Sequence, residues 1–362
     1  MTPTEKDIYF MKKALELAKI RKGLTHPNPT VGCVIVKDGK IIAEGYHERA
    51  GMPHAEVVAL ERAGKQAENS TVYVTLEPCS HYGRTPPCAD ALIKAKVKRV
   101  VIAMLDPNPL VAGKGAERLK QAGIEVSVGV LEEEAKELNE DFFTYITQKR
   151  PYITLKMAQS IDGRMALKSG QSKWITNQES RDFAHKLRSE ATAVLIGINT
   201  LLRDNPSLTV RAFPWERQPI RIVLDPNLKT PLDCNLVKDK SSNTVIITAA
   251  EDKEKIKNLQ EEGVEVVLTE AIGGKLNLKE VLRQLYFKEI MHLLVEGGSI
   301  TITNFVKDDL YDRLFVFVAP ILIGEGLGMG HIGVEDLSQA KRHKLAHLYR
   351  FANDIALEYK KL

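Results

Sequence analysis

The sequence has no run of eighteen or more apolar residues, so no transmembrane helix is expected. Met1 to Lys13 is polar and mixed in charge, without the apolar stretch and small-residue cleavage site of a secretory signal. Both absences predict a cytoplasmic protein with no membrane partner. Cysteine is scarce: Cys33, Cys79, Cys88 and Cys234 are the only four. In a reducing compartment that argues against a disulfide framework. No fixed-period repeat and no low-complexity tract occurs. There is no basic stripe either. The net charge is +4, with cations interspersed among anions as at Lys136-Glu137. This counts against a nucleic-acid binder and leaves room for a small anionic substrate.

What is there suits an ordinary globular protein. A chain of 362 residues is long for one core and predicts two domains. Apolar residues recur at helical spacing from Asp7 to Ile20. Two apolar runs, Val31 to Val36 and the stretch from Ile41, flank Asp38-Gly39 and read as a hairpin. Helices are expected at His54 to Ala63, Cys88 to Ala95, Ala116 to Ala122 and Glu132 to Glu140. Strands are expected at Thr71 to Leu76, Arg99 to Met104 and Glu125 to Val128. This α/β alternation predicts a mixed sheet between helices. Lys149-Arg150-Pro151 reads as a boundary, giving domains 1–150 and 151–362.

In the second domain, strands are expected at Tyr152 to Met157, Ala193 to Ile196, Ile220 to Leu224 and Thr244 to Thr248. More follow at Val264 to Leu268, His292 to Val295 and Arg313 to Val318. Helices fit Gln178 to Ser189 (with Asn177 as N-cap), Asp252 to Glu262, Leu278 to Phe287 and Ile300 to Phe305.

Three residues stand out chemically: His54 in His-Ala-Glu, Cys79 after Pro78, and Cys88. Zinc favours imidazole and thiolate donors, and three protein ligands leave a fourth position for water, whose pKa the metal lowers. Glu56, two residues after His54, can shuttle a proton to a ring nitrogen and a leaving amine. The arrangement resembles the H-x-E…P-C-x-x-C of nucleobase deaminases, with a departure at the second cysteine, and predicts each ligand near a helix N-terminus. A purely structural zinc site would need a fourth ligand, for which His81 is the candidate. The interval Ser80 to Pro87 is longer than a C-x-x-C spacing and places His81 and Arg84 near the metal, which suggests an anionic substrate. In the second domain, Glu296-Gly297-Gly298-Ser299 joins a strand to a helix, where backbone amides can approach a phosphate. It is not G-x-G-x-x-G, so a Rossmann domain is not indicated.

The runs Thr25–Cys33, His54–Glu56, Glu77–Cys88 and Asp106–Gly113 together resemble the bifunctional riboflavin-biosynthesis deaminase/reductases. So do Leu155–Arg164, Ser172–Thr176, Gly197–Arg211 and Val295–Ser299, and the resemblance runs the length of the chain. It implies a cytidine-deaminase-like three-layer α/β/α domain followed by a dihydrofolate-reductase-like α/β domain. It further implies zinc and NADPH as cofactors, a phosphorylated pyrimidine as substrate, and a homo-oligomer, dimer or tetramer. His54, Cys79 and Cys88 would hold zinc and Glu56 would be catalytic. Asn28, His47, His81 and Arg84 would line the deaminase pocket. Lys156, Ser172, Arg188, Leu208, Arg211 and Glu296 would meet the reductase substrate, although Lys156 could instead balance charge. The cofactor would lie against Ala158, Trp174, Thr200, Asp204 and the segment Gly298, Ser299, Ile300, Thr301, Ile302, Thr303, Asn304. Pro226 could offer only a backbone contact.

Two other readings stand beside this one. One is a cytidine, deoxycytidylate or tRNA deaminase fused to an unrelated reductase. The other is a nucleotide- or RNA-binding protein with structural zinc.

Overall fold

The computed structural model describes residues 4–80, 87–109 and 111–362. The chain divides into two compact units, Met1–Lys149 and Arg150–Leu362.

The first unit carries a sheet of five strands: β1 (Gly32–Lys37), β2 (Lys40–Tyr46), β3 (Thr71–Val74), β4 (Arg99–Ile102) and β5 (Glu125–Val128), in the order β2-β1-β3-β4-β5. The β1–β2 turn has Asp38 and Gly39 at φ 50° and 75°, the left-handed pair that a two-residue hairpin needs. β1 is antiparallel to β2 and β3, whereas β3, β4 and β5 run parallel. The helices are α1 (Glu5–Lys19), α2 (Ala55–Ala63), α3 (Cys88–Lys94), α4 (Lys114–Gln121), α5 (Glu132–Leu138) and α6 (Glu140–Gln148).

Two glycines reveal the layers. A Cβ on Gly32 would lie 2.0 Å from the Ala14 carbonyl oxygen of α1. A Cβ on Gly45 would lie 2.3 Å from the Ala55 oxygen and 2.7 Å from the Ala59 nitrogen of α2. Gly45 pairs with Cys33, the neighbour of Gly32, and adjacent strand residues face opposite ways. So α1 and α2 cover opposite faces, and the unit is a three-layer sandwich. α1 starts on a capping box of Thr4 and Asp7, and Asp7 also binds Arg99 and the Tyr73 hydroxyl. The expected acidic helix is broken at Asn139, whose side chain accepts from Thr30 N at 2.8 Å and donates to Thr30 O at 3.0 Å.

The second unit opens with β6 (Tyr152–Ser160), β7 (Ala166–Leu167), α7 (Gln178–Glu190), β8 (Ala193–Gly197) and α8 (Ile198–Asp204). Next come β9 (Ile220–Leu224), α9 (Asn235–Lys238), β10 (Thr244–Thr248), α10 (Lys253–Glu261) and β11 (Glu265–Leu268). A short hairpin follows, β12 (Ala271–Ile272) with β13 (Lys275–Leu276), and then α11 (Leu278–Phe287) and β14 (His292–Gly297). The unit ends with α12 (Ser299–Lys307), β15 (Arg313–Ala319), β16 (Gly326–Leu327), β17 (His343–Phe351) and β18 (Asp354–Lys361). The main sheet has nine strands, β11-β10-β9-β8-β14-β6-β15-β18-β17, parallel from β11 to β15 and antiparallel beyond. Asn177 caps α7 by accepting from Ser180 N. α8 and the β17–β18 hairpin appear in addition to the expected elements. The central parallel strands are buried on both faces, as their Val, Ile and Leu runs require. No helix among the described residues is long and apolar enough to cross a membrane.

The closeness of α2 to β2 yields a first test. Gly45→Ala would force a methyl into the backbone of α2. It should cost about 1–3 kcal/mol, as overpacking does, seen as a lower urea midpoint with unchanged slope.

Candidate active sites

The first site is assembled at helix starts. His54 is the extended N-cap of α2, and its side chain makes no cap hydrogen bond, which leaves the imidazole to the site. Cys88 opens α3. Cys79 does not open a helix of its own; it lies in the loop after β3, where the first N–H of α3, on Cys88, donates to its Sγ at 3.2 Å. His54 Nδ1 lies 3.1 Å from Cys88 Sγ and 3.6 Å from Cys79 Sγ, and the three donor atoms sit within 4.8 Å of one another. Hydrogen bonds from the Cys88 thiol, His54 and the Cys88 amide hold the Cys79 thiol below its ordinary range, although burial opposes them. One imidazole and two sulfurs suit zinc and leave a coordination position open. The described residues bring no fourth His, Cys, Asp or Glu into this group. His81 and Arg84 lie outside the described residues.

Glu56 occupies the first turn of α2 and is only 3% exposed. Burial drives its carboxyl up to about 7, and the His54 imidazole pulls it partly back. Both protonation states are therefore present near neutral pH, as a proton shuttle requires. His47 packs edge-on to His54, with ring centroids 5.5 Å apart. His47 Nδ1 lies 3.1 Å from the Pro53 carbonyl, an acceptor, so Nδ1 carries the proton. Burial keeps this imidazole neutral by lowering its pKa. Nε2 then accepts from Asn28 Nδ2 at 3.0 Å. That leaves the Asn28 carbonyl oxygen as an acceptor for an amino or ring N–H.

The second site is a cavity of about 1000 Å3 at the carboxyl ends of β6, β8, β9 and β14. β14 inserts between β8 and β6, so the chain winds away from this point in both directions. The connection after β8 leads to β9 and that after β14 to β15, on opposite sides, and open α/β sheets bind ligands at such a place. Lys156, Ala158, Ser172, Trp174, Thr200, Asp204, Leu208 and Pro226 all line it. Gly298, Ser299, Ile300, Thr301 and Asn304 bring the start of α12 to the same wall.

Arg188 and Glu296 also line the cavity but engage each other, Nε–Oε1 at 2.5 Å and Nη2–Oε2 at 2.8 Å. Burial alone would raise the Glu296 carboxyl; Arg188 and then Lys156 outweigh it and hold the group at about 2. Lys156 is not left without company, since Glu296 attracts it and the Phe317 ring lies 5.4 Å from its Nζ. Arg211 adds a further cation. Trp174 is 69% exposed, with the Arg181 guanidinium 4.7 Å from its ring, so it is no core residue.

Two expected contacts are not brought to the cavity. Ile302 is fully buried in the hydrophobic core. Thr303 donates to Ser299 O and accepts from Gly330 N. The expected segment is contiguous, whereas a helix shows a cavity only one face. His185 was missed: it lines the cavity and accepts the Arg211 N–H at 3.2 Å. Burial and the neighbouring Arg188 and Arg211 lower its pKa to about 4. A lone histidine on an amphipathic helix carried no signal of this.

A zinc-type deaminase site and a separate phosphate-suited cleft in one chain define a bifunctional deaminase and reductase. Residues 4–104 match the cytidine and deoxycytidylate deaminase zinc-binding region, and residues 151–357 match the RibD C-terminal domain. The chain is 55% identical over 357 residues to riboflavin biosynthesis protein RibD of Aquifex aeolicus, covering 99% of both chains. It is 43% identical to that of Escherichia coli K12, covering 97% of this chain and 98% of the relative. Acinetobacter baumannii RibD superposes with a TM-score of 0.90 at 40% identity, covering 99% of both chains. The diaminohydroxyphosphoribosylaminopyrimidine deaminase/5-amino-6-(5-phosphoribosylamino)uracil reductase of Thermotoga maritima does so at 0.90 and 39%, again with 99% of both covered. The chain belongs to the RibD family of riboflavin-biosynthesis enzymes.

The Arg188–Glu296 pair makes a pH test. A carboxyl held at about 2 against an ordinary 4.5 stabilises the fold fully above 4.5 and loses that contribution as pH falls toward 2. The second unit should lose about 3 kcal/mol across that window in urea melts at stepped pH. Glu296→Gln should flatten that part of the curve. A wild-type curve already flat from pH 4.5 to 2.5 would contradict the assignment.

Proposed function

We propose that the first unit converts 2,5-diamino-6-(5-phosphoribosylamino)pyrimidin-4(3H)-one to 5-amino-6-(5-phosphoribosylamino)uracil with release of ammonia. The second unit then reduces the ribose of that product with NADPH to give 5-amino-6-(5-phosphoribitylamino)uracil. The observation that carries the reading is the buried Glu56 carboxyl beside an imidazole and two thiols gathered within 4.8 Å.

His54, Cys79 and Cys88 would hold zinc, which supplies Lewis acidity and lowers the pKa of water at the site. Glu56 moves protons toward the ring nitrogen and the departing amine. Asn28, held by His47, orients the pyrimidine edge, and His81 and Arg84 are assigned to the phosphate. In the second unit Arg188, Arg211 and Lys156 make the cleft cationic and suit a phosphorylated substrate, with Ser172, Leu208 and Glu296 beside them. The start of α12, from Gly298 to Thr301, suits the cofactor diphosphate, because a helix leaves its first amides without partners of its own, and Asn304 lies on the same wall. Ala158, Trp174, Thr200, Asp204 and the Pro226 backbone complete the cofactor wall. NADPH supplies the hydride.

A homo-oligomer, dimer or tetramer, fits the edge strand β17, which exposes Leu345 and Leu348 beside unpaired backbone. A cytoplasmic site of action fits four free thiols.

Glu56→Gln should lower ammonia release at least ~100-fold, as loss of a general acid–base group does. NADPH oxidation on the deaminated substrate should persist, and parallel loss of both activities would refute the assignment of two separate sites. Chelation should likewise stop ammonia release alone, and added zinc should restore it.

A further inference from the structure

Glu77 stands two residues before Cys79 and is buried, yet the proposed chemistry gives it no part. Its Oε2 accepts the N–H groups of Asp106 at 3.1 Å and Gly113 at 2.9 Å, and its Oε1 accepts that of Ala116 at 3.0 Å. A carboxylate suits this place because it only accepts. These donors bracket the Asp106–Gly113 run and extend into the first turn of α4. Other contacts bind α4 to the same segment. A Cβ on Gly115 would lie 1.9 Å from the Pro78 carbonyl oxygen, so α4 rests directly on the residue before Cys79. Arg118 Nη1 lies 3.5 Å from the carbonyl of Ser80, the residue after Cys79. Arg118 Nε lies 2.6 Å from Asp90 of α3, the helix that Cys88 opens.

We propose that α4 and the turn before it are the template that sets the separation of Cys79 and Cys88. Glu77 is the positioning residue that locks this template to the Pro78–Cys79 turn, and Arg118 is a second strut. The inference rests on the metal-site reading above. Gathering two sulfurs and an imidazole in a buried place costs desolvation and order before any cation is there, so the fold has to hold them together. A rigid frame does this by ordering both segments during folding rather than at metal binding. Glu77→Gln keeps the shape but turns one acceptor into an amino group facing a backbone N–H. Loss of such supporting contacts weakens metal binding by ~10- to 100-fold.

The test uses the full-length wild type, Glu77→Gln and Arg118→Met, each stripped of metal. Zinc affinity is read by competition with a chromophoric chelator. The absorption of the cobalt(II)-substituted forms reports thiolate geometry, and thermal melts of the stripped forms report folding. Glu77→Gln should bind zinc ~10- to 100-fold more weakly with a shifted thiolate–cobalt band. Arg118→Met should move in the same direction by several-fold. A folded Glu77→Gln with a lower melting temperature but wild-type affinity and cobalt spectrum would overturn the proposal and leave Glu77 a purely structural cap. If Glu77→Gln does not fold, Arg118→Met decides, because that side chain is 44% exposed and its loss spares the core. Unchanged affinity and spectrum there would overturn the template, and weakened binding would support it. A wild type that takes up no stoichiometric metal would sink the metal-site reading itself, and the template with it.

Discussion

Three donor atoms have to converge from segments that lie 25 and 34 residues apart in sequence, and much of the first unit serves that constraint. His54 is carried by the start of α2, and α2 can approach β2 only because Gly45 has no side chain. Cys88 begins α3, whose first amide points at Cys79. The same burial that brings the sulfurs together also raises the Glu56 carboxyl into the neutral range. Assembly of the donors and tuning of the proton carrier are thus one event: both follow from shutting α2 and α3 against the sheet.

The second unit solves a different problem. Its cleft exists because β14 is threaded between β8 and β6, which leaves the loops after neighbouring strands running apart. Cations crowd this space, and one carboxylate is committed to Arg188 through two hydrogen bonds. Glu296 thereby spaces the cations and fixes the Arg188 fork while the cleft keeps a positive balance. Burial, and then Arg188 and Arg211, lower the His185 imidazole pKa, so it contributes a hydrogen-bonding group to the wall rather than a further charge.

Local features were the most legible in the sequence. Asp38-Gly39 announced a turn, Asn177 a cap, and His54, Glu56, Cys79 and Cys88 a chemistry, because each signal is contained in a few neighbouring residues. Features that depend on distant partners were not legible. The break at Asn139 is caused by Thr30, 109 residues away. Glu77 looked like part of a motif, but its role depends on Asp106, Gly113 and Ala116. β17 of the β17–β18 hairpin lacks a clean two-residue alternation, since it leaves Leu345 and Leu348 in solvent, although β18 alternates. Ile302 and Thr303 were assigned to the cleft because a contiguous segment ignores which way a helix turns.

Asn139 has a consequence for where the first unit really ends. Its amide imitates one rung of a β-ladder against Thr30, and two residues later Asp141 takes up His26 and Lys22. These contacts hold the loop that presents Asn28, yet all of them come from beyond residue 104, where the zinc-binding match stops. A fragment cut at that match would keep every metal donor and still open the Thr30 backbone and the buried His26 to water. The piece of the first unit that keeps its Asn28 loop in place is therefore longer than the recognisable motif, and it reaches into α6.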